Sequence, residues 1–199
     1  FGVCLIPSML TVLVIDESRS RAGEICAGLA LAGYQVAAIL AGSENLTAEV
    51  EKLQPDVILI DTDSPSRDTL EHLAAMNKNM PRPVVIFTLE DGQTTIRDAV
   101  KAGVSAYIVD GLDPRRIKPI VEVARARFED TQALRRELDE ISQKLSDRKL
   151  VDKAKGVLMK ARGIDEDAAY HAMRKLAMER GQTMAKVARD VIDMARVLL

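Results

Sequence analysis

Short, wholly apolar segments alternate with longer amphipathic segments over the first half of the chain. The apolar segments are rich in β-branched residues, as in strands that are buried on both faces of a sheet. Five of them occur: Thr11–Ile15, Val36–Leu40, Val57–Ile60, Val84–Phe87 and Ala106–Val109. Between them, apolar residues recur at steps of three and four, which predicts helices near residues 18–32, 44–53, 67–77 and 93–102. This repetition predicts an α/β domain over residues 10–114, with a five-stranded, doubly wound parallel sheet.

A single long helical pattern follows Pro114. From Arg115 to Lys149 no strand pattern occurs, and one narrow apolar stripe recurs mostly at alternating steps of four and three: Ile117, Val121, Ala124, Phe128, Thr131, Leu134, Leu138, Ile141 and Leu145. Dense charges of both signs flank the stripe, which is typical of a helix that pairs with another helix. We therefore predict a coiled-coil linker over residues 115–145 that joins two copies in a parallel homodimer. Alternatively, the part before Phe128 packs back on the α/β domain.

The last segment, residues 146–199, predicts a small all-α domain of three helices. The first continues from the linker to Gly163, the second runs from Asp165 to Arg180, and the third begins at Thr183. Asp165 and Thr183 are residue types that cap helix N-termini, and Gly163 and Gly181 can adopt the left-handed conformation that ends a helix.

Composition and charge narrow the class of protein. Of 199 residues, 47% are hydrophobic and 3% aromatic, with no Trp. These values exclude a disordered chain and disfavour an all-β sandwich. The net charge is only −2, but residues 1–112 carry eight basic and 15 acidic side chains, whereas residues 146–199 carry 12 basic and eight acidic ones. This asymmetry indicates two domains, the second of which meets an anionic partner.

Cysteine usage and hydropathy predict a cytoplasmic protein. Cys4 and Cys26 are the only cysteines, there is no CxxC, and only two His residues occur. The chain therefore has too few cysteines and histidines for a disulfide framework or a Zn²⁺ site. No apolar run reaches the roughly 18 residues that a membrane-spanning helix needs, so we predict no membrane association. Residues 1–9 lack the basic start of a signal peptide and are interpreted as an N-terminal extension outside the fold.

Three carboxylates are predicted to meet at one edge of the sheet. Asp16 and Glu17 follow the first strand, and Asp61 ends the third. Two unit charges ~4 Å apart repel by roughly 4 kcal/mol at an effective dielectric near 20, so such a cluster is usually explained by a bound cation. Mg²⁺, which prefers oxygen ligands, is the one cofactor that these residues suggest.

The same residues resemble a known family. Val-Ile-Asp16-Glu17, Ile-Asp61-Thr-Asp-Ser-Pro65, Phe-Thr88 and Ala-Tyr107-Ile-Val strongly resemble the flavodoxin-like receiver domains of bacterial response regulators, over about residues 10–112. The resemblance implies that Asp61 matches the phospho-acceptor and that Asp16 and Glu17 match its Mg²⁺ pair. It also implies that Thr88 matches the hydroxyl that contacts the phosphoryl group, and that Tyr107 matches the aromatic switch residue.

One position departs from the receiver pattern. Receivers have Lys-Pro after the fifth strand, whereas this chain has Asp110-Gly111. A phosphoryl group would add about −1.5 to −2 charge to a pocket that lacks this cation. We therefore expect phosphorylation to be disfavoured, and the hypothesis is that this domain binds proteins and controls dimerisation.

The C-terminal segment is similar to a second family. Its Ala154-Lys155-Gly156-Val-Leu-Met run, with the later Ala169-Tyr170 and Val187-Ala188 pairs, looks like an ANTAR domain, the RNA-binding output module of transcription antitermination regulators. The basic stripe of its first helix suits phosphate contacts. The predicted RNA-binding residues are Arg148, Lys149, Lys153, Lys155, Gly156, Lys160, Arg162, Tyr170, Arg174 and Lys175.

Two of these residues have alternative interpretations. A glycine inside a helix costs about 1 kcal/mol relative to Ala, so Gly156 suggests close approach of another helix or of a nucleic-acid backbone. Tyr170 suits stacking on a splayed base, because sequence-specific proteins generally read unpaired RNA loops. It equally suits covering the three-helix core.

The whole arrangement is most similar to NasT-like regulators of nitrate assimilation. By that resemblance the protein is not an enzyme: it binds paired hairpins of a nascent leader mRNA as a dimer and prevents transcription termination, and a nitrate-sensing protein inhibits it. Two other classes stay open. A DNA-binding response regulator would need a helix-turn-helix or winged helix, and a protein-interaction adaptor would bind no nucleic acid.

Overall fold

The structure, a computed structural model, describes residues 9–17, 22–109 and 113–198. Within these ranges five strands and seven α-helices follow one another: β1 (Thr11–Asp16), α1 (Ala22–Leu31), β2 (Gln35–Leu40), α2 (Leu46–Leu53), β3 (Val57–Asp61), α3 (Arg67–Asn79), β4 (Val84–Thr88), α4 (Gln93–Lys101), β5 (Ala106–Val109), a 3₁₀ turn (Pro114–Arg116), α5 (Ile117–Arg162), α6 (Glu166–Arg180) and α7 (Met184–Leu198). The described residues up to Thr131 and those from Gln132 onward form two compact units, which divide within α5. The domain limits predicted at 114 and 145 stay predictions.

The first unit contains the predicted parallel sheet. Its strand order is β2-β1-β3-β4-β5, and every neighbouring pair is parallel. Strands β3 and β4, which are apolar except for their last residues, lie inside the sheet and are fully buried, whereas β2 and β5 form its edges and are less buried. The α/β fold expected from the alternating segments is confirmed.

Helices cover both faces of this sheet. On one face, α2, α3 and α4 contribute buried residues such as Leu46, Leu73 and Ala99. On the other face, α1 contributes Ile25 and Leu29. The turn between α4 and β5 requires a glycine. Gly103 in this turn has φ +91°, and a Cβ there would come within 2.6 Å of the Asn77 side chain on α3.

The beginning of α5 belongs to this second face. Ile117, Val121 and Ala124 are fully buried there and pack with α1 and the sheet. The prediction that these residues begin the coiled-coil stripe is therefore wrong, and the alternative of packing on the α/β domain is confirmed for them. The reason is that steps of three and four describe an apolar helix face without saying what covers it.

The second unit contains the predicted three-helix module. Ala154 from α5, Met173 and Ala177 from α6, and Val187 and Ala188 from α7 form its buried core. The predicted caps are present: the Asp165 side chain accepts from the Ala168 N–H, and Gly181 ends α6 with φ +60°.

Element limits agree with the sequence predictions to within a few residues. The first four residues of the predicted helix 18–32 lie outside the described residues, as do residues 1–8 and 110–112, which include Asp110-Gly111. Among the helices that the structure describes, none is long and apolar enough to cross a bilayer.

Candidate functional site

The carboxyl ends of β1 and β3 bring two predicted site residues together. Asp16 and Asp61 are register partners in the parallel β1–β3 pair, and both residues are buried, with 1% and 0% of their surfaces exposed. Thr62, which follows Asp61, is also buried. The sheet therefore places the matched phospho-acceptor beside one carboxylate, as the sequence predicts for a parallel sheet.

Glu17, the other carboxylate predicted at this edge, is held by two threonine hydroxyls. Its carboxylate accepts one hydrogen bond from the Thr62 hydroxyl, at 2.7 Å, and another from the Thr69 hydroxyl, at 2.9 Å. Among the described residues, no three His, Cys, Asp or Glu side chains are grouped so that they could hold a metal ion. Glu17 is held by hydroxyls from the residue after β3 and from the first turn of α3, and Mg²⁺ binding at this edge of the sheet stays a prediction.

The two matched switch residues are both fixed to the loop after β4. Thr88 is buried, and its hydroxyl donates to the Asp63 carbonyl at 2.8 Å and accepts from the Glu90 N–H at 3.2 Å. The Tyr107 hydroxyl donates to the Glu90 carbonyl at 3.0 Å, and burial raises the pKa of Tyr107. Asp110 lies outside the described residues. The switch roles of these residues stay predictions.

The second unit presents an exposed lysine stripe on α5. Lys149, Lys153 and Lys160 are separated by four and seven residues, so at 3.6 residues per turn they lie within about 40° of one another. They lie about 100° to 140° around the helix from Ala154, which is fully buried in the module core. All three side chains are exposed. Within the described residues no ion pair neutralises them, so the stripe offers uncompensated positive charge to an anionic ligand.

Lys155 has a different environment from the stripe. Its Nζ lies 2.7 Å from Asp152 Oδ1 and 2.7 Å from Glu166 Oε1, and only 16% of its side chain is exposed. The hydrogen bonds to Asp152 and Glu166 raise the pKa of Lys155. The hydrogen bond between Lys155 and Asp152 also lowers the pKa of Asp152. Lys155 therefore connects α5 to the first turn of α6, and both carboxylates compete with phosphate for it.

The other predicted RNA-binding residues are distributed over the module. Tyr170 is 41% exposed on α6, and its ring meets that of His171 edge-on, at a centroid distance of 6.0 Å. Arg174, one turn later, is exposed, as are Arg148, Arg162 and Lys175. Lys175 Nζ lies 3.9 Å from Glu179 Oε1. The exposure of Tyr170 favours the stacking interpretation over that of a core residue.

Gly156 has room for a side chain. A Cβ at this position would meet no atom of the described residues within 4 Å. Packing inside the module therefore does not explain the glycine, and close approach of another helix or of a nucleic-acid backbone stays a prediction.

An exposed apolar seam lies on α5 between the two sets of buried residues. Leu134, Leu138, Ile141 and Leu145 are 61%, 66%, 54% and 54% exposed, at alternating steps of four and three. These four residues are called the apolar seam below. Since no described residue of the chain covers the seam, it remains suited to the predicted partner helix.

Comparison with known proteins supports two domains. The family model of the response regulator receiver domain matches residues 12–122, and that of the ANTAR domain matches residues 139–192. Among solved structures, a CheY-like receiver domain from Methanospirillum hungatei superimposes with a TM-score of 0.54 at 22% identity, covering 62% of this chain and 99% of that one. This likeness shows the fold alone.

Two curated relatives cover different shares of the chain. The transcriptional regulatory protein PdtaR of Mycobacterium tuberculosis is 28% identical over 92% of this chain and 89% of its own length. A nitrate regulatory protein of Klebsiella oxytoca is 35% identical over 42% of this chain and 21% of its own length.

Proposed function

This chain belongs to the response regulator receiver family and carries a C-terminal ANTAR domain, and from this premise we propose that it is an RNA-binding antitermination regulator rather than an enzyme. It binds paired hairpins of a nascent leader mRNA and favours transcription through a downstream terminator. It acts in the cytoplasm, where the nascent transcript is made.

The observation that carries this proposal is the lysine stripe of α5. Lys149, Lys153 and Lys160 project from one side of a well-packed module, away from its core. Such a stripe follows a phosphate backbone and releases its counterions, which is the main source of affinity in nucleic-acid binding. The exposed Tyr170 and Arg174 on α6 add a flat ring and a guanidinium for unpaired bases.

Dimerisation through the apolar seam is the second part of the proposal. Two copies joined along Leu134, Leu138, Ile141 and Leu145 present two ANTAR modules to one transcript. A transcript with two suitably spaced loops then gains from the effective concentration of the second module, and this gain provides selectivity.

Control by nitrate is the third part. The Klebsiella oxytoca relative is named as a nitrate regulatory protein, and the likeness supports nitrate or nitrite assimilation genes as the regulated set. With Asp110 in place of the receiver Lys, we propose that a nitrate-sensing protein that binds and inhibits the dimer provides the signal.

Binding to three nucleic acids separates this function from the two other classes. We would measure the affinity of the full chain for three nucleic acids: a leader RNA with two hairpins, an unrelated duplex DNA of equal charge, and a duplex DNA from the promoter upstream of that leader. An antitermination regulator binds the hairpin RNA at least tenfold more tightly than either DNA. Preference for the promoter duplex indicates a DNA-binding regulator, binding to none indicates an adaptor, and either result contradicts the proposal.

A further inference from the structure

The apolar seam of α5 ends at a positive charge. After Leu145, the alternation of four- and three-residue steps places Arg148 at the next position of the seam. The later apolar residues Leu150, Val151 and Ala154 pack instead in the core of the three-helix module. At 3.6 residues per turn, Arg148 lies about 120° around the helix from Ala154, and it is exposed. Arg148 therefore continues the surface that faces a partner helix and is not part of the module core.

The acidic side chains next to Arg148 have other partners. Asp147 Oδ1 accepts a hydrogen bond from the Gln143 amide at 2.7 Å. Asp152, one turn after Arg148, has its Oδ1 2.7 Å from Lys155 Nζ. Among the described residues, no ion pair shorter than 4 Å includes Arg148. Its charge is therefore available to groups outside the chain.

The parallel dimer of the proposed function, on which this inference rests, brings several of these charges together. In such a dimer each seam position meets the same residue of the second copy, so two Arg148 side chains meet in the layer after Leu145. Positions 144 and 149 flank the helix contact, so Lys144 of one copy faces Lys149 of the other. Lys144 Nζ lies 3.9 Å from Glu140 Oε2, whereas no ion pair among the described residues includes Lys149. The seam therefore ends in a cationic cluster to which both copies contribute.

We propose that Arg148 and Lys149 of two copies form one anion site across the dimer axis, and that phosphates of the bound RNA occupy it. Without an anion, the like charges repel each other and weaken the dimer. A phosphate between the two guanidinium groups accepts hydrogen bonds from both, in the planar geometry that suits arginine. By linkage, RNA at this site strengthens dimerisation by the same factor by which dimerisation strengthens RNA binding. The chain therefore pairs more firmly on its transcript than off it.

The test measures the dissociation constant of the dimer by sedimentation equilibrium at 50 and 500 mM KCl. Arg148→Leu extends the apolar seam, and Arg148→Gln removes only the charge. Arg136→Leu is the matched control, because Arg136 is exposed on the side of α5 opposite the seam. Each full chain is measured alone, with inorganic tripolyphosphate, and with an oligouridylate of about ten residues, which has an RNA backbone without a hairpin. Circular dichroism checks the helix content of every variant.

The native chain and the control should respond to anions and to salt. Either anion at 50 mM KCl should lower the dissociation constant of the dimer at least about fivefold, and 500 mM KCl should also lower it, because salt screens the repulsion. At 50 mM KCl without anions, Arg148→Leu should dimerise at least about tenfold more tightly than the native chain, because it replaces a charged layer by an apolar one. Both Arg148 variants should change less than about twofold with either anion or with salt.

Three results would overturn the anion site. A native dimer that ignores both anions, or Arg148 variants that respond as the native chain does, would remove it and leave the dimer of the proposed function intact. A response to tripolyphosphate without a response to oligouridylate would overturn the assignment to RNA phosphates. A native chain that is monomeric under every condition would contradict both the anion site and the proposed dimer.

Discussion

At the scale of single residues, Lys153 and Lys155 show why a basic sequence does not by itself define a binding surface. The two lysines are separated by one residue on α5. Lys153 is exposed on the lysine stripe, whereas Lys155 is held by Asp152 and Glu166. We expect the first to contact phosphate and the second to position α6.

Alanine substitutions distinguish these roles through their salt dependence. Lys153→Ala should weaken RNA binding and lower the slope of log K against log salt by about 0.7 to 0.9, because one phosphate contact is lost. Lys155→Ala should weaken binding by disturbing α6, with an unchanged slope and a lower melting temperature. Filter binding between 50 and 300 mM KCl gives both slopes. A reduced slope for Lys155→Ala with an unchanged melting temperature would show that this lysine contacts RNA directly.

Tyr34 provides a prediction for the α/β unit. The pKa of Tyr34 is raised to about 12, mainly because the side chain is buried and secondly because its hydroxyl donates a 3.0 Å hydrogen bond to Glu122 on α5. Because the folded state favours the neutral phenol, this contribution to stability is complete below pH 10 and is lost as the pH rises from about 10 to about 12.

The measurement is urea unfolding at pH 8 and pH 11 of the native chain and of Tyr34→Phe. The free energy of unfolding should fall more between these pH values in the native chain than in the variant. An equal fall in both proteins contradicts the role given to Tyr34.

At the scale of elements, the sequence pattern of α5 predicts that the helix forms but not which surface covers each part of it. The stripe from Ile117 to Leu145 predicts one long helix, and α5 is continuous from Ile117 to Arg162. The pattern does not separate the residues that pack on the sheet, Ile117, Val121 and Ala124, from the exposed apolar seam. The difference comes from tertiary contacts with α1 and the sheet, which leave no mark on the spacing.

Charges placed in the apolar seam test dimerisation. Leu138→Glu/Ile141→Glu should convert a dimer to a monomer, because two charges would face their copies across the helix pair. Leu31→Glu on α1, where the leucine is 87% exposed, is the control and should leave the assembly unchanged. Light scattering measures the mass and circular dichroism the helix content. A native chain that is monomeric at all concentrations, or a double variant that remains dimeric, contradicts this use of the seam.

At the edge of the sheet that carries Asp16 and Asp61, the meeting of the two strands could be predicted from the sequence, but the hydrogen bonds of the side chains could not. Asp16 and Asp61 meet because buried parallel strands end together, which the apolar pattern already indicates. The direction of Glu17 depends on the hydroxyls of Thr62 and Thr69, one of which comes from the first turn of α3. A hydroxyl directly after the matched phospho-acceptor was the available signal, but only the packing of α3 shows what it contacts.

At the scale of the whole molecule, an acidic receiver domain and a basic ANTAR domain share one chain with a net charge of −2. The charge of the pocket predicts poor phosphorylation. After incubation with acetyl phosphate and Mg²⁺, intact-mass spectrometry should find only a small minority of chains with one added phosphoryl group, and none in Asp61→Asn. Near-complete addition in the native chain would show that Asp110 in place of the receiver Lys does not prevent acceptor chemistry.

The most direct test of the account compares RNA with two hairpins and RNA with one. The native full chain should bind the two-hairpin RNA at least tenfold more tightly, and Leu138→Glu/Ile141→Glu should bind both RNAs with the weaker, single-site affinity. A folded native chain that binds neither RNA at low salt, or that binds one and two hairpins equally well, would contradict the claim that paired basic modules recognise paired loops.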